Sequence, residues 1–340
     1  MKKIINVGKV ELGNGRVVIQ SMTNTLTSDA EKTLAQVKRL AVAGAELVRV
    51  SVPDRESAIA MKKITEGSPV PIIADIHYSA EPALIAIENG ASKIRINPYN
   101  MSEEAVKAVV KKCAEYNIPI RVGVNKGSAK NAKTPKELAE SAVSCAKIIE
   151  DAGWDKIVIA VKSSDVKETV EAYRRLYEMT DYPLHIGLTE AGTLGSGTIK
   201  SAVAIGSLLL DGIGDTVRVS LATDPIKEVY AAKQILRAVG LDKNFVEVIA
   251  CPTCSRTGID VSGLAERLEK MTENVTVPMK IAVMGCAVNG IGESKGADFG
   301  VAGGKDKSVI FKNGEILKTV SNSDIESAIK ELVTEKINDK

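Results

Sequence analysis

The sequence predicts an α/β chain, with a (β/α)8 barrel over residues 1–243 and a small α+β domain over residues 244–340. Three observations lead there. Eight short runs rich in β-branched residues recur through the first part, their starts roughly 22 to 37 residues apart, which suits a strand plus a returning helix. Between them, apolar residues fall at helical period. After Gly240 the alternation stops and a different order of strands and helices surrounds three cysteines.

The barrel strands are expected at 17–21, 46–50, 71–74, 93–96, 119–122, 156–161, 184–187 and 216–219. A helix is expected at 30–43, where Leu34, Val37, Leu40 and Ala41 share one side. Another is expected at 135–151 through Leu138, Ala142, Cys145, Ile148 and Ile149. Thr134 is its expected N-cap, with Pro135 at N1 and Glu137 at N3, the pattern of a capping box. Segments 4–10 and 16–19, joined by Gly13-Asn14-Gly15, predict a hairpin that could cover the barrel floor. An open doubly wound sheet would use the same units, and their even spacing favours closure. In the second part, 246–250 reads as a strand entering a cysteine pair, 261–272 as a helix, and 279–284 as a strand ending at Cys286. A short β segment at 309–312 turns at Asn313-Gly314, and a helix over 324–335 closes the chain behind Ser323 as N-cap.

Composition excludes several classes of function. The chain has 340 residues, with 26% charged and 44% apolar residues, as in an ordinary globular protein. A net charge of +2 gives no global basic field for nucleic acid, and 3% aromatics gives no base-stacking platform. The N-terminus lacks the apolar stretch of a signal peptide, and no run of ~18 apolar residues suggests a membrane span. Five cysteines are odd in number and too few for a disulfide framework, so a reducing cytoplasm is the expected location.

Active sites of such barrels lie where the strands end, and here the strand ends carry unusual residues. Arg49 lies in Val-Arg-Val-Ser-Val-Pro, Arg95 in Ile-Arg-Ile-Asn-Pro and Arg121 in Ile-Arg-Val-Gly-Val-Asn. Lys162 ends Ile-Ala-Val-Lys, and Arg218 lies in Val-Arg-Val-Ser-Leu. Pairing each with a carboxylate would be a structural explanation; for the set, an anionic ligand explains more, because guanidinium forks match phosphate oxygens. The glycine-rich stretch from Gly192 to Thr198 opens a helix, a common place for phosphate in this fold. Asp75 and His77 share a strand face, Asn125 follows the fifth strand, and Glu190 in Leu-Thr-Glu-Ala-Gly is the best acid/base candidate. His185 reads as a packed barrel histidine, while Cys113 and Cys145 fall on apolar helix faces.

Cys251 and Cys254 form Cys-Pro-Thr-Cys, and Cys286 follows in Met-Gly-Cys-Ala-Val-Asn-Gly-Ile-Gly-Glu, a run that ends at Glu293. A close thiolate pair plus a distant thiolate is metal-ligand spacing, for which zinc and iron–sulfur clusters are both candidates. A structural zinc site usually takes four Cys/His ligands, and this region offers three thiolates and no histidine. Three thiolates leave a metal position open for a weaker ligand or a substrate, which suggests chemistry at the metal.

Taken together, these residues resemble the 4-hydroxy-3-methylbut-2-enyl diphosphate synthase (IspG/GcpE) family. The resemblance runs through Ile-Gln-Ser-Met-Thr-Asn (19–24), Ile-Ala-Asp-Ile-His (73–77), Arg-Ile-Asn-Pro (95–98), Arg-Val-Gly-Val-Asn (121–125) and Leu-Thr-Glu-Ala-Gly (188–192). It continues through Gly-Ile-Gly-Asp-Thr-Val-Arg-Val-Ser-Leu (212–221), Cys-Pro-Thr-Cys (251–254) and Gly-Cys-Ala-Val-Asn-Gly (285–290). It implies an iron–sulfur second domain holding a [4Fe–4S] cluster on Cys251, Cys254 and Cys286, with Glu293 as the fourth ligand. It implies a cyclic diphosphate substrate held by Arg49, Arg95, Arg121, Lys162 and Arg218, with hydrogen bonds from His77, Asn125 and Ser220, Asp75 at the same mouth, and Glu190 as the acid/base group. Ile291 stands where the family pattern has proline, and Tyr99 and Ser255 where it has glycine. The absence of nicotinamide or flavin fingerprints implies a partner protein, flavodoxin or ferredoxin, as electron donor.

Strands run up to the mouth and helices run back, so the eighth helix should leave the chain at the barrel floor, ~20 Å or more from its own mouth. A cluster that must meet substrate is then more easily supplied by a second subunit, in a head-to-tail homodimer, as the resemblance also implies. Two rivals are a pterin-type transferase with a structural zinc and a non-catalytic electron carrier. Redox-active iron would exclude the first, and the five mouth cations speak against the second.

Overall fold

The computed structural model describes residues 2–127, 129, 132–286, 292, 294 and 296–339. They divide into two compact units, Met1–Leu241 and Asp242–Lys340.

The first unit opens with an antiparallel pair, β1 (Ile5–Val7) and β2 (Val10–Leu12). The expected hairpin is therefore shifted. Its turn falls at Gly8, whose φ of +56° admits a tight reversal, and Val7 faces Val10 across it. Gly13 and Gly15 lie in the connection that follows, and Val18–Met22 belongs to the barrel instead. Burial decides the register, because Ile5, Val7 and Leu12 are buried together.

Eight parallel strands follow: β3 (Val18–Met22), β4 (Leu47–Ser51), β5 (Ile72–Asp75), β6 (Lys93–Ile96), β7 (Ile120–Asn125), β8 (Ile157–Lys162), β9 (His185–Ile186) and β10 (Thr216–Val217). Their order is β8-β7-β6-β5-β4-β3-β10-β9, and a parallel bridge between Ile159 and Leu184 joins the two ends into a closed barrel. Each strand is followed by a helix: α1 (Ala30–Ala43), α2 (Arg55–Gly67), α3 (Ala80–Glu88), α4 (Glu103–Glu115), α5 (Pro135–Asp151), α6 (Val166–Met179), α7 (Leu194–Leu210) and α8 (Pro225–Ala238). Strand positions agree with the sequence expectation within a few residues, and α1 and α5 fall where their apolar periodicity put them. Thr134 and Glu137 form the expected capping box on α5. α7 is capped by Thr193 without a side-chain hydrogen bond, so its first amides keep their donors.

Strand alternation fixes which residues face the barrel interior. The ladder sets Met22 beside Arg49, Asp75 beside Arg95, Arg95 beside Arg121, and Asn125 beside Lys162. One inward row thus sets Asp75, Arg95 and Arg121 side by side, with Arg49 and Lys93 one inward step below.

The second unit is a five-stranded sheet of order β11-β12-β13-β14-β15. Its strands are β11 (Val246–Ala250), β12 (Met279–Met284), β13 (Phe299–Ala302), β14 (Lys307–Lys312) and β15 (Glu315–Ser321). The helices α9 (Val261–Thr272) and α10 (Ile325–Asn338) share a core with one sheet face, where Leu264 and Leu268 meet Ile281, Val283, Ile329 and Leu332. The opposite face carries Ala282, Met284, Ala302 and Phe311. The turn at Asn313-Gly314 lies where expected, with φ of +53° and +83°. α10 differs at its start: Asn322–Asp324 forms a 3-10 turn and Asp324, not Ser323, occupies the N-cap position.

Candidate active site

At the C-terminal ends of the barrel strands lies an open pocket with an empty volume of about 480 Å³. All five expected cations line it: Arg49 from β4, Arg95 from β6, Arg121 from β7, Lys162 from the end of β8, and Arg218 just beyond β10. Asn125, Thr189 and Ser220 add polar groups to the wall. Gly123 keeps one side open, because a Cβ there would sit 3.1 Å from Arg121 Nη2 and 3.5 Å from Arg95 Nε.

Carboxylates are too few to pair this set. Asp75 accepts from Arg95 Nη1 at 3.0 Å and lies 3.5 Å from Arg49 Nε, buried beneath the pocket. Burial opposes its charge, but Arg49, Arg95 and Arg121 outweigh it and hold its pKa below the ordinary carboxylate range. Arg49 also donates to Met22 Sδ at 2.9 and 3.2 Å, and burial pulls its pKa down to about 10. Glu228 on α8 sits 3.5 Å from Arg218 and accepts from the Leu221 amide at 2.8 Å. Burial pushes Glu228 up, with Arg218 opposing. Arg121 is buried, and its Nε and Nη1 have no hydrogen-bond partner among the described residues. Lys162 touches His185 Nε2 at 3.4 Å, and His185 Nδ1 lies 2.7 Å from Thr216 Oγ1. Burial, then the surrounding cations, pushes both Lys162 and His185 well below their usual values. Among the described residues two carboxylates thus face five cations, and buried guanidinium donors stand open toward one pocket.

The pocket wall does not include every expected residue. His77 is half-buried on the loop after β5, with Nδ1 unpartnered among the described residues. Glu190 is exposed on the loop after β9, one residue past Thr189. Its φ of +52° is uncommon for a residue with a Cβ, and such strain clusters at functional loops. Sequence reasoning passed over Lys93, Met22, Thr189 and Glu228. Lys93 had a readable signal: in Lys-Ile-Arg-Ile it shares the strand face of Arg95.

In the second unit the pairing of Ala250 with Val283 brings Cys251, after β11, close to Gly285, after β12. The Gly285 amide donates to Cys251 Sγ at 3.1 Å, and Cys286 is the next residue. The Cys254 amide donates to Thr257 Oγ1 at 3.0 Å, and chiefly a hydrogen bond from the Arg256 backbone lowers the Cys254 thiol pKa. Cys251 and Cys286 are half-buried and Cys254 is exposed. Glu293 and Ile291 lie outside the described residues. Among the described residues no three His, Cys, Asp or Glu side chains stand assembled around a metal position. The donor chemistry still fits a thiolate-held iron–sulfur group, with three thiols following two paired parallel strands and no histidine in the unit. Cys113 and Cys145 are buried in the barrel layer, where burial pushes both thiols up to about 12.

Comparison with known proteins accounts for both units. The GcpE TIM-barrel domain matches residues 2–233, and the GcpE protein C-terminal domain matches residues 247–335. This chain belongs to the GcpE family. Its relatives include the 4-hydroxy-3-methylbut-2-en-1-yl diphosphate synthase (flavodoxin) of Caldanaerobacter subterraneus subsp. tengcongensis, 50% identical over 96% of this chain and 95% of that one. The proteins of the same name from Brevibacillus brevis (47% identical, 99% and 96% covered) and Thermotoga maritima (49%, 98% and 98%) are similar throughout. Among solved structures, dihydropteroate synthases resemble the barrel. That of Stenotrophomonas maltophilia gives a TM-score of 0.53 at 17% identity, over 70% of this chain and 98% of that one. That of Yersinia pestis gives 0.54 at 13%, with the same coverage. At such identities the likeness is one of fold alone, so it lends no weight to a pterin-type transferase for this GcpE member.

Proposed function

We propose that this chain makes the product for which its relatives are named, (E)-4-hydroxy-3-methylbut-2-enyl diphosphate, by reductive conversion of 2-C-methyl-D-erythritol 2,4-cyclodiphosphate in the non-mevalonate route to isoprenoids. The observation that carries this reading is the charge at the barrel mouth, where five cations line one pocket above two buried carboxylates among the described residues. A diphosphate supplies the missing negative charge.

Arg49, Arg95, Arg121, Lys162 and Arg218 hold the diphosphate, with Asn125 and Ser220 adding hydrogen bonds from the wall. His77 joins them from its loop. Asp75 fixes the directions of Arg49 and Arg95 before substrate arrives, so little ordering remains to be done on binding. These charges act alike on substrate and transition state, and so govern binding more than turnover. Glu190 is the acid/base group, giving its proton to the substrate hydroxyl that leaves as water. A [4Fe–4S] cluster on Cys251, Cys254 and Cys286, with Glu293 as fourth ligand, would supply two electrons one at a time and a Lewis-acidic iron. Overall, two electrons and two protons are consumed, the ring C–O bond opens, and water is released.

The electron donor is flavodoxin or ferredoxin, the former in line with the relatives' names. α8 runs away from the mouth, so the chain leaves the barrel at its opposite end. A head-to-tail homodimer lets the cluster unit of one subunit serve the mouth of the other. No described helix is long and apolar enough to cross a membrane, and the cytoplasm is the proposed compartment.

The test is an anaerobic assay with the cyclic diphosphate and reduced flavodoxin. Glu190→Gln should retain iron and substrate affinity while turnover falls about 100-fold or more. Unchanged turnover would remove Glu190 from the mechanism, and no product from wild-type protein would remove the reaction.

A further inference from the structure

Lys93 is buried in the barrel and takes no part in the reaction described so far. It is among the largest fully buried side chains of the chain, with 0% of its surface exposed. Its Nζ has no hydrogen-bond partner among the described residues. It starts β6 two residues before Arg95, on the same inward face and one step further from the mouth. Its ladder neighbour on β5 is the apolar Ile73. The charges that act on it most are Arg121 and Arg49, both cations. The nearby carboxylate, Asp75, is engaged by Arg49 and Arg95.

An ammonium ion in that place has lost its water, has no acceptor, and is repelled by its neighbours. Burial and then the two arginines push it well below the ordinary lysine value. The balance reverses when negative charge settles among the same arginines. A cyclic diphosphate carries one such charge on each phosphorus and has no group of its own that titrates near neutrality.

We propose that Lys93 is a buried proton acceptor tied to substrate binding: an amine in the empty barrel, it takes one proton from solvent as the cyclic diphosphate seats above it. The dianion cancels the surplus of the four arginines over Asp75 and Glu228, and with that repulsion removed the buried amine keeps the proton it takes up. This rests on the reading of the pocket as a diphosphate site. Arg121 from β7 and Arg49 from β4 act on it most, and it acts in turn on His185 from β9; Asp75 and the following His77 from β5, Arg95 from β6, Lys162 from β8, Tyr173 from α6, Arg218 after β10 and Glu228 from α8 complete the charged and titratable groups of the barrel interior and mouth. Of these, Lys162 and His185 are the rival acceptors, since burial and the same cations act on both.

The sign follows from linkage. Binding that takes up a proton weakens as pH rises, by about tenfold per pH unit for one full proton. The experiment is titration calorimetry of the full-length, anaerobically purified protein with the cyclic diphosphate and no reductant, at about pH 8, in buffers of different ionisation heat. Wild-type protein should take up close to one proton or more. Lys93→Met should bind with about one proton fewer, and Lys162→Met should keep the Lys93 proton. Zero uptake by wild type, equal uptake by Lys93→Met, or loss of all uptake in Lys162→Met would each overturn the assignment. Should Lys93→Met fail to fold, Lys162→Met and His185→Gln decide together: uptake kept in both leaves Lys93, and uptake lost in either overturns the assignment. Failure of wild-type protein to bind the diphosphate at all would remove the site reading, and the inference with it.

Discussion

Asp75 shows how much one side chain governs the barrel mouth. It faces Arg49 and Arg95 while almost fully buried, so its removal leaves desolvated cations without a counter-charge. Asp75→Asn should lower stability by about 3–5 kcal/mol, read from the shift of the urea midpoint. A loss under about 1 kcal/mol would mean that Asp75 is not the counter-ion. Because its folded pKa is depressed, the stability it contributes is complete above its unfolded value of about 3.9 and is lost as pH falls through the folded value. The variant should therefore lose less stability than wild type on acidification below about pH 4. Gly123→Ala acts on space instead: its Cβ would press on Arg121 Nη2 at 3.1 Å. Diphosphate affinity should fall up to about tenfold, measured by calorimetry, with little change in the melting temperature. At this scale the five cations were legible, because a charged residue inside a β-branched run has few other places to point. Lys93 obeys the same rule, yet was passed over. Glu228 could not be read at all, because its pairing with Arg218 depends on how α8 returns to the barrel.

Whether an element could be read depended on whether local and tertiary signals agreed. α5 carries its own start signal, and Thr134→Ala should cost about 1 kcal/mol in thermal or chemical unfolding, while Thr134→Ser should restore most of it. β13 was missed because all four of its residues are buried and show no alternation. Its Gly300 is there for close approach, since a Cβ would stand 2.2 Å from the Ala282 carbonyl oxygen. β15 was missed for the opposite reason, being an edge strand with most residues exposed. In the first hairpin, two glycines at 13 and 15 outweighed one at position 8, although burial of Leu12 decides the register.

At the scale of the whole molecule, cysteine chemistry separates the two units. In protein stripped of metal, alkylation should reach Cys254 first and then Cys251 and Cys286, while Cys113 and Cys145 react only after unfolding, as mass mapping would record. The barrel closes on its own hydrogen bonds, so Cys254→Ser should lose iron while retaining diphosphate binding. Closure was legible from eight evenly spaced units. Assembly with a second copy was inferred only from where the eighth helix leaves the barrel. The measurement that bears most directly on the proposed chemistry is iron, acid-labile sulfide and zinc on protein purified without oxygen. About four irons and four sulfides per chain, one cubane, is the expected result. One zinc without sulfide would contradict it and leave the second unit a structural metal domain.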